Sequence, residues 1–457
     1  GHSLQELISQ PLPGGLTAPV GFLVLERLII SAFGNSDYVF RLLPLIAGCA
    51  AVILMYFLCR RLLGHLGTTF ALGVFAVNWM LLLYSSDLKQ YSTDVFFVVL
   101  LLLLLAVYLN DETVSKAVAL GLGGVVAVAF SHPAIFVLAA VAAVLLIHHH
   151  RSRRELWLSV ALALAWMTAF ALLYFSYYRV VGQERSVVDY WNNLDGLMPV
   201  PPWEDPAWFV IRIGSFFSSV TSLSRQILLN AGLLVLGVMA FYWRRQWQWS
   251  LALFGTVLLT LAASGAVNYP FKGRLILFLV PVALLAMGEG IDRLALILGT
   301  RRWFDHVLVA LLVLALLWSP AQNAYDTLSP RRSAPYREDI KPVLAFMQQN
   351  WRAGDLVVLY DQAWITYEFY APFYGLKDAE VWRLEADRNH PRQYRLAMDK
   401  LPHGRRTWFV FSSVLDVPDG TDVRTYMLDY VMESGGTILA QYNYDKVSFA
   451  DLVEMED

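Results

Sequence analysis

Residues 92–109 read STDVFFVVLLLLLLAVYL, with Asp94 as the single charge in eighteen positions. A run of this length far exceeds the five or six residues of a typical strand. It approaches the roughly 20 apolar residues that a helix needs to cross the ~30 Å hydrocarbon core of a bilayer, where no backbone group can go unpaired. Comparable runs recur on both sides of it, near 40–59, 66–84, 114–131, 133–148, 156–177, 226–243, 249–266, 273–290 and 304–322. The expectation is a polytopic α-helical membrane protein with about ten spans. Residues 18–33 are also apolar, but Glu26 and Arg27 interrupt them, and they read as a helix lying at the membrane interface.

Composition agrees. Of 457 residues 57% are hydrophobic and only 16% charged, whereas soluble domains average about 25% charged. An ordinary cytosolic enzyme and a disordered chain are both excluded. The net charge of -2 and the lack of a long basic block argue against nucleic acid as a partner. Cys49 and Cys59 sit ten positions apart in one apolar run, too far along a helix to bridge, so there is no disulfide framework to read.

Lys and Arg set the orientation. Arg60 and Arg61, Lys116, Arg151, Arg153 and Arg154, Arg244 and Arg245, then Arg293, Arg301 and Arg302 fall in alternate connections, which are therefore expected on the cytoplasmic side. The opposite set is expected to face outward: the N-terminal segment, 85–91, 131–133, 182–224 and 268–274. The membrane part is read as residues 1–328, with 1–37 an external loop and interfacial helix. Beyond a linker rich in Pro and Arg, residues 329–457 have ordinary globular composition and read as an extracytoplasmic α/β domain. Helical stretches at 338–351, 391–401 and 421–434 alternate there with strands at 356–360, 407–412 and 437–444, which suggests a small sandwich with a mainly parallel sheet. No Gly-rich phosphate fingerprint follows any strand.

Two outward turns carry more chemistry than turns require. Tyr84-Ser85-Ser86-Asp87-Leu88-Lys89-Gln90-Tyr91 joins two very apolar spans with a carboxylate, an amine and two phenols. Aromatic belting at the interface accounts for some of this. A polar rim on an outward cavity, formed by Tyr84, Gln90, Tyr91 and Tyr269, accounts for all of it. Asn268-Tyr269-Pro270-Phe271-Lys272-Gly273-Arg274 breaks the positive-inside trend with two cations at the mouth of a helix. Such charge usually marks a ligand, and a lipid phosphate suits a Lys point charge beside an Arg fork. Trp191, Trp203 and Trp208 among the prolines of 182–224, together with Asp189 and Tyr190, are read as interfacial anchors, and a lid would use the same rings. His132 is read as a hydrogen-bonding residue. The run His148-His149-His150 is read as a solvated helix end, because consecutive helical residues point apart, and no metal ligands are assigned. Glu6, Glu26 and Asp37 are the outward acids near the start of the chain.

The order of Ala18-Pro19-Val20-Gly21-Phe22, Gly34-Asn35-Ser36-Asp37-Tyr38 and Arg41-Leu42-Leu43-Pro44 resembles the region after the first external loop of GT-C glycosyltransferases. That group includes aminoarabinose transferases, Rgt-type lipopolysaccharide core transferases and, more distantly, protein O-mannosyltransferases. The turn at 84–91 is similar to the group's YS-x-E-x-(K/R)-x-Y pattern, with Asp87 where glutamate is usual. Residues 269–274 resemble the segment that meets the lipid phosphate.

The resemblance implies a transferase, inverting in its stereochemistry, that takes a sugar from a polyprenyl-phosphate donor. The implied acceptor is a lipid, glycan or protein at the outer face of the cytoplasmic membrane. Lys272, Arg274 and Lys89 would hold the donor phosphate. The family's acidic base is expected upstream of Gly1, with Asp87 as an accessory. No cofactor is assigned, and a divalent metal is compatible with the chemistry. Two other readings stay open. A secondary transporter would show internal repeats and paired broken helices, and a non-catalytic envelope scaffold would lack the acid.

Overall fold

The computed structural model describes residues 17–179, 191–192, 194–224, 226–267, 269–298, 303–329, 339–360, 363–384, 386, 390–412, 414–444 and 447–455. Glu6, Asp189, Tyr190 and Asn268 lie outside them. Two compact units divide the chain, Gly1–Tyr325 and Asp326–Asp457.

The first unit is helical: α1 Val20–Phe33, α2 Asp37–Phe40, α3 Leu42–Leu62, α4 His65–Val77, α5 Trp79–Ser85, α6 Tyr91–Asn110, α7 Val114–Phe130, α8 Ala134–His148, α9 Arg153–Leu173, α10 Pro206–Ser215, α11 Ile227–Trp243, α12 Trp247–Gly265, α13 Leu279–Leu298 and α14 Trp303–Leu328. Five described helical stretches are long and apolar enough to cross a membrane: Leu42–Leu62, Tyr91–Asn110, Arg153–Tyr178, Trp247–Gly265 and Val307–Leu328. The bent pair α4 and α5 is together long and apolar enough for a broken span or a re-entrant loop, and α7, α8 and α11 are shorter apolar helices. The protein is therefore a multi-pass membrane protein. Helix α6, the most apolar of these by sequence, is also the most enclosed, and Val98, Val99, Leu101, Leu102 and Leu105 are fully buried in the bundle core.

The run at 66–84 is not one continuous span. It bends by 48° between α4 and α5, and the cause is a single polar residue. Asn78 accepts hydrogen bonds from the backbone N–H groups of Met80 and Leu81 and donates to the Val220 carbonyl at 2.8 Å. It caps the new helix while fully buried. In an apolar run one asparagine is easy to pass over, yet its side chain competes directly with the helical ladder.

Packing at the other end of the bundle depends on small residues. A Cβ on Gly237 of α11 would lie 1.7 Å from the Ala286 carbonyl oxygen of α13, and one on Gly290 would lie 2.2 Å from the Leu233 carbonyl oxygen. The two backbones touch there, as small residues allow in membrane bundles. Helix α13 also carries charge. Buried Glu289 pairs with Arg244 at 2.6 Å, and Asp292 accepts from the N–H groups of Gly64 and Gly67 at 2.7 and 2.9 Å, capping α4 from a distant helix.

The second unit contains α15 Lys341–Asn350, β1 Leu356–Tyr360, α16 Trp364–Tyr370, β2 Glu380–Leu384, α17 Arg392–Met398, β3 Arg406–Ser412, α18 Val423–Glu433, β4 Thr437–Tyr444 and β5 Ser448–Glu454. Its sheet order is β2-β1-β3-β5-β4. One face packs on α15 and α16 through Val343, Met347, Val357 and Tyr367, and the other on α17 and α18 through Val358, Tyr394, Met427 and Val431. The α/β sandwich holds, but the sheet is mixed rather than mainly parallel. Strands β2, β1 and β3 run parallel, while β5 is antiparallel to both of its neighbours. Asp451 obscures β5 in the sequence. Though fully buried, it is satisfied by two 2.7 Å bonds from Arg424 and one from Gln441.

Candidate functional site

The α5–α6 turn, the α7–α8 turn, the π-helical end of α9 (Tyr174–Tyr178) and residues 269–274 converge at one end of the first unit. Tyr84 and Tyr91 close the α5–α6 turn with their rings 4.8 Å apart, edge to face. The guanidinium of Arg274 stands 5.8 Å from the Tyr91 ring centroid, within hydrogen-bonding reach of both phenol oxygens. Arg274 is exposed although both tyrosines are buried, so its charge is seated on a rigid pair and offered to the surroundings. Asp87 lies on the same turn and acts electrostatically on Tyr84.

One turn into α6, Asp94 is 5% exposed. Ser131, Tyr91, Tyr178 and Tyr269 surround its carboxylate, and its Oδ1 has no hydrogen-bond partner among the described residues. The His132 ring meets the Tyr178 ring at 5.0 Å, and neither His132 Nε2 nor the Tyr178 hydroxyl is partnered among the described residues. Burial pushes the His132 imidazole down to about 4, so it is neutral at physiological pH. Tyr269 donates to the Leu275 carbonyl at 2.7 Å and packs on Phe136. Burial, then the nearby Asp94 and Tyr91, hold its phenol well above the ordinary range.

Gly273 adopts φ +54, a conformation that glycine takes without a Cβ penalty, and its two neighbours go to different partners. Arg274 joins the tyrosine pair. Lys272 donates to the Leu194 carbonyl at 2.5 Å and faces Arg212 and Asp195. Desolvation, then Arg212, lower its pKa, with Asp195 opposing. The loop ahead of α10 is docked here by the Lys272–Leu194 bond and by Phe271 N–H to the Gly196 carbonyl at 2.7 Å, while the Trp208 indole of α10 donates to the Asp195 carbonyl at 2.9 Å. Arg212 is 8% exposed, lies over Trp208, and its Nε is unpartnered among the described residues.

The structure thus gathers Arg274 and Asp87 on the Tyr84–Tyr91 pair and Tyr91 and Tyr269 around buried Asp94, with Lys272 on an adjoining pole beside Arg212. Gln90 contributes its carbonyl, which accepts from Asp94 N–H and the Thr93 hydroxyl. Lys89 is fixed by its backbone N–H on Asp87 O at 2.7 Å, and its side chain has no bond into the cluster among the described residues. Sequence reading missed Arg212 and the central place of Asp94. A lone cation in the amphipathic stretch 206–215 and a carboxylate opening the most apolar helix were the available signals. Of the acids near the start, Glu26 is 5% exposed, with both carboxylate oxygens unpartnered among the described residues. Burial raises its pKa to about 7.

The histidine run departs from its expected solvated end. His149 is 4% exposed, and His148 and His149 both turn toward Glu112. The helix stops at His148, so His149 is a cap with φ −94 and ψ 8 and is free of the helical rotation that would separate the two rings.

Residues 17–178 match the family model described as dolichyl-phosphate-mannose-protein mannosyltransferase. No curated protein matches the chain. Among solved structures, apo ArnT from Cupriavidus metallidurans aligns over 95% of this chain and 87% of its own, with 14% identity and a TM-score of 0.50. The same protein bound to undecaprenyl phosphate aligns over the same shares with a TM-score of 0.49. The chain has the GT-C fold of ArnT, a helical membrane unit followed by a small sheet domain. The likeness to GT-C membrane glycosyltransferases read from the sequence holds at the level of fold.

Proposed function

We propose that the protein transfers a sugar from a polyprenyl-phosphate-linked donor to a lipid, glycan or protein acceptor of the cell envelope. The reaction is placed at the outer face of the cytoplasmic membrane, with the C-terminal domain on that side. Arg274 carries this reading. An exposed guanidinium braced by two buried tyrosines at the end of a membrane bundle suits a phosphate, which a planar fork grips through two parallel hydrogen bonds. The GT-C fold supports the class, and the family model whose name specifies a dolichyl-phosphate sugar, itself a polyprenyl-phosphate donor, spans the Tyr84–Tyr91 turn and Asp94.

In this account the acceptor hydroxyl oxygen attacks the anomeric carbon opposite the phosphate. The bond from that carbon to the phosphate oxygen breaks, the phosphate leaves with the electron pair, and the configuration inverts. Negative charge on the phosphate grows as the bond breaks. Arg274, aided by Lys272 and Lys89, stabilises that charge where little water competes. The hydroxyl proton passes to a carboxylate, for which Asp87 is the accessory group on the turn.

The test is turnover of purified protein with lipid-linked sugar donors, read as release of the polyprenyl phosphate. Arg274→Ala should lower turnover about 100- to 1,000-fold, as loss of a preorganised charge-stabilising group does, and Arg274→Lys should recover part of it. Wild-type turnover in Arg274→Ala would remove the clamp.

A further inference from the structure

The far end of α6 carries a second cluster that the transfer reaction does not use. Twenty residues of helix separate it from the Tyr91 end, about 30 Å at 1.5 Å per residue. Glu112 lies in the short link between α6 and α7, and its Oε1 is 2.8 Å from His148 Nε2 while its Oε2 is 3.3 Å from His149 Nε2. The ligand atoms of all three residues lie within 4.8 Å of one another.

The state of His149 is set from behind. The Ser159 hydroxyl lies 2.9 Å from the Glu155 carbonyl, to which it donates, and 2.8 Å from His149 Nδ1, from which it accepts when its proton is on the carbonyl. In that arrangement Nδ1 carries a hydrogen and Nε2 is turned toward a carboxylate oxygen of Glu112. That buried Nε2 has no hydrogen-bond partner among the described residues. An imidazole nitrogen and a carboxylate oxygen facing each other at this distance need a cation between them, either a proton or a metal ion. His148 is held the other way round: the Gln248 side-chain amide N–H donates to its Nδ1 at 3.2 Å, so Nε2 carries the hydrogen that goes to Glu112 Oε1, and a metal ion would take the place of that proton. Orientation of each ligating imidazole through its other nitrogen is the usual second layer of a metal centre. The nearby cation Lys116 is paired with Asp111 at 2.5 Å and does not compete.

We propose that Glu112, His148 and His149 bind a divalent transition metal of the zinc class. Two imidazoles and one carboxylate with an open fourth position suit zinc, whereas magnesium and calcium take oxygen ligands and soft metals favour thiolates. The metal would tie the α6–α7 link to the end of α8, with Ser159 of α9 and Gln248 of α12 supporting the two rings. It is a clamp on the bundle end remote from the donor site.

The experiment uses the full chain in detergent, without a histidine tag, stripped by chelator, dialysed against Zn2+ and assayed for metal by mass spectrometry. The wild type should retain about one zinc per chain, His149→Ala and Glu112→Gln should lose it, and Ser159→Ala should weaken affinity about 10- to 100-fold. His150→Ala, at an exposed neighbour bonded to the Ile147 carbonyl, should retain zinc. Should His149→Ala fail to fold, Glu112→Gln still decides, since it removes only a third-exposed carboxylate from a surface link. Substituted Co2+ should give the visible absorption of a tetrahedral nitrogen and oxygen site. Failure of the wild type to hold zinc, or equal zinc in Glu112→Gln, His149→Ala and wild type, overturns the proposal.

Discussion

The charges at the two ends of the helical unit are treated differently. On α13, Glu289 meets Arg244 and Asp292 meets two backbone N–H groups, so each carboxylate is satisfied by its own protein. At the Tyr91 end, Asp94 Oδ1, the Tyr178 hydroxyl, His132 Nε2 and Arg212 Nε are unpartnered among the described residues, and Arg274 is exposed on its tyrosine pair. Buried polar atoms are nearly always paired in native proteins. A concentration of unpaired ones beside an exposed cation therefore sets the Tyr91 end apart from the two carboxylates of α13, although the far end has its own unpartnered atoms among the described residues in His149 Nε2 and Arg293 Nε. Charge inside an apolar helix has both uses, and its partners tell them apart.

That contrast can be broken most forcefully at Glu289. Glu289→Ala removes a buried carboxylate from its 2.6 Å bond with Arg244, whose side chain is 43% exposed and rehydrates, so thermal unfolding in detergent should show a loss of about 1 to 3 kcal/mol with turnover per folded molecule retained. Arg274→Ala should do the reverse, with near-wild-type unfolding and turnover reduced as stated above. If both variants lose stability and activity together, the two ends are not distinct. A smaller effect is expected from Lys272→Ala, because Lys272 also spends a hydrogen bond on the Leu194 carbonyl. The donor KM should rise about tenfold, equivalent to ~1.4 kcal/mol, with kcat little changed; an unaltered KM would leave Arg274 as the sole cation of the clamp.

Glu26 sharpens the comparison through pH. Its carboxyl loses its proton near the model-peptide value of 4.5 when unfolded and near 7 when folded. The folded state thus holds the proton longer, and the stability linked to it is present in full below about 4.5 and is lost as pH rises through 7. Glu26→Gln should accordingly unfold at a higher temperature than wild type at pH 8, by up to about 3 kcal/mol in stability, and the gap should close toward pH 5. A gap that is the same at both pH values would mean that the carboxyl is not buried unpaired.

What could be read from the sequence was whatever depends on long-range averages. Apolar length located the helices, the positions of Lys272, Gly273 and Arg274 marked a mouth that needs cations, and alternation marked a sheet domain after the last helix. Features set by one contact with a distant segment were hidden. Asn78 breaks its helix because Val220 offers a carbonyl, β5 tolerates Asp451 because Arg424 reaches it, and His149 leaves its helical direction because α8 stops at His148. Arg212 becomes part of the site only because the loop ahead of α10 docks on 269–274. The membrane helices were legible because lipid forces the backbone to pair within each one; the site was less so because it is assembled from four connections far apart in the chain.

The central claim is that Arg274 receives an isoprenoid phosphate on the tyrosine pair. A structure determined with a polyprenyl-phosphate analogue bound tests it most directly. The account predicts the phosphate in salt-bridge contact with the Arg274 guanidinium above Tyr84 and Tyr91; a bound phosphate seated elsewhere, with Arg274 still facing solvent, would contradict it.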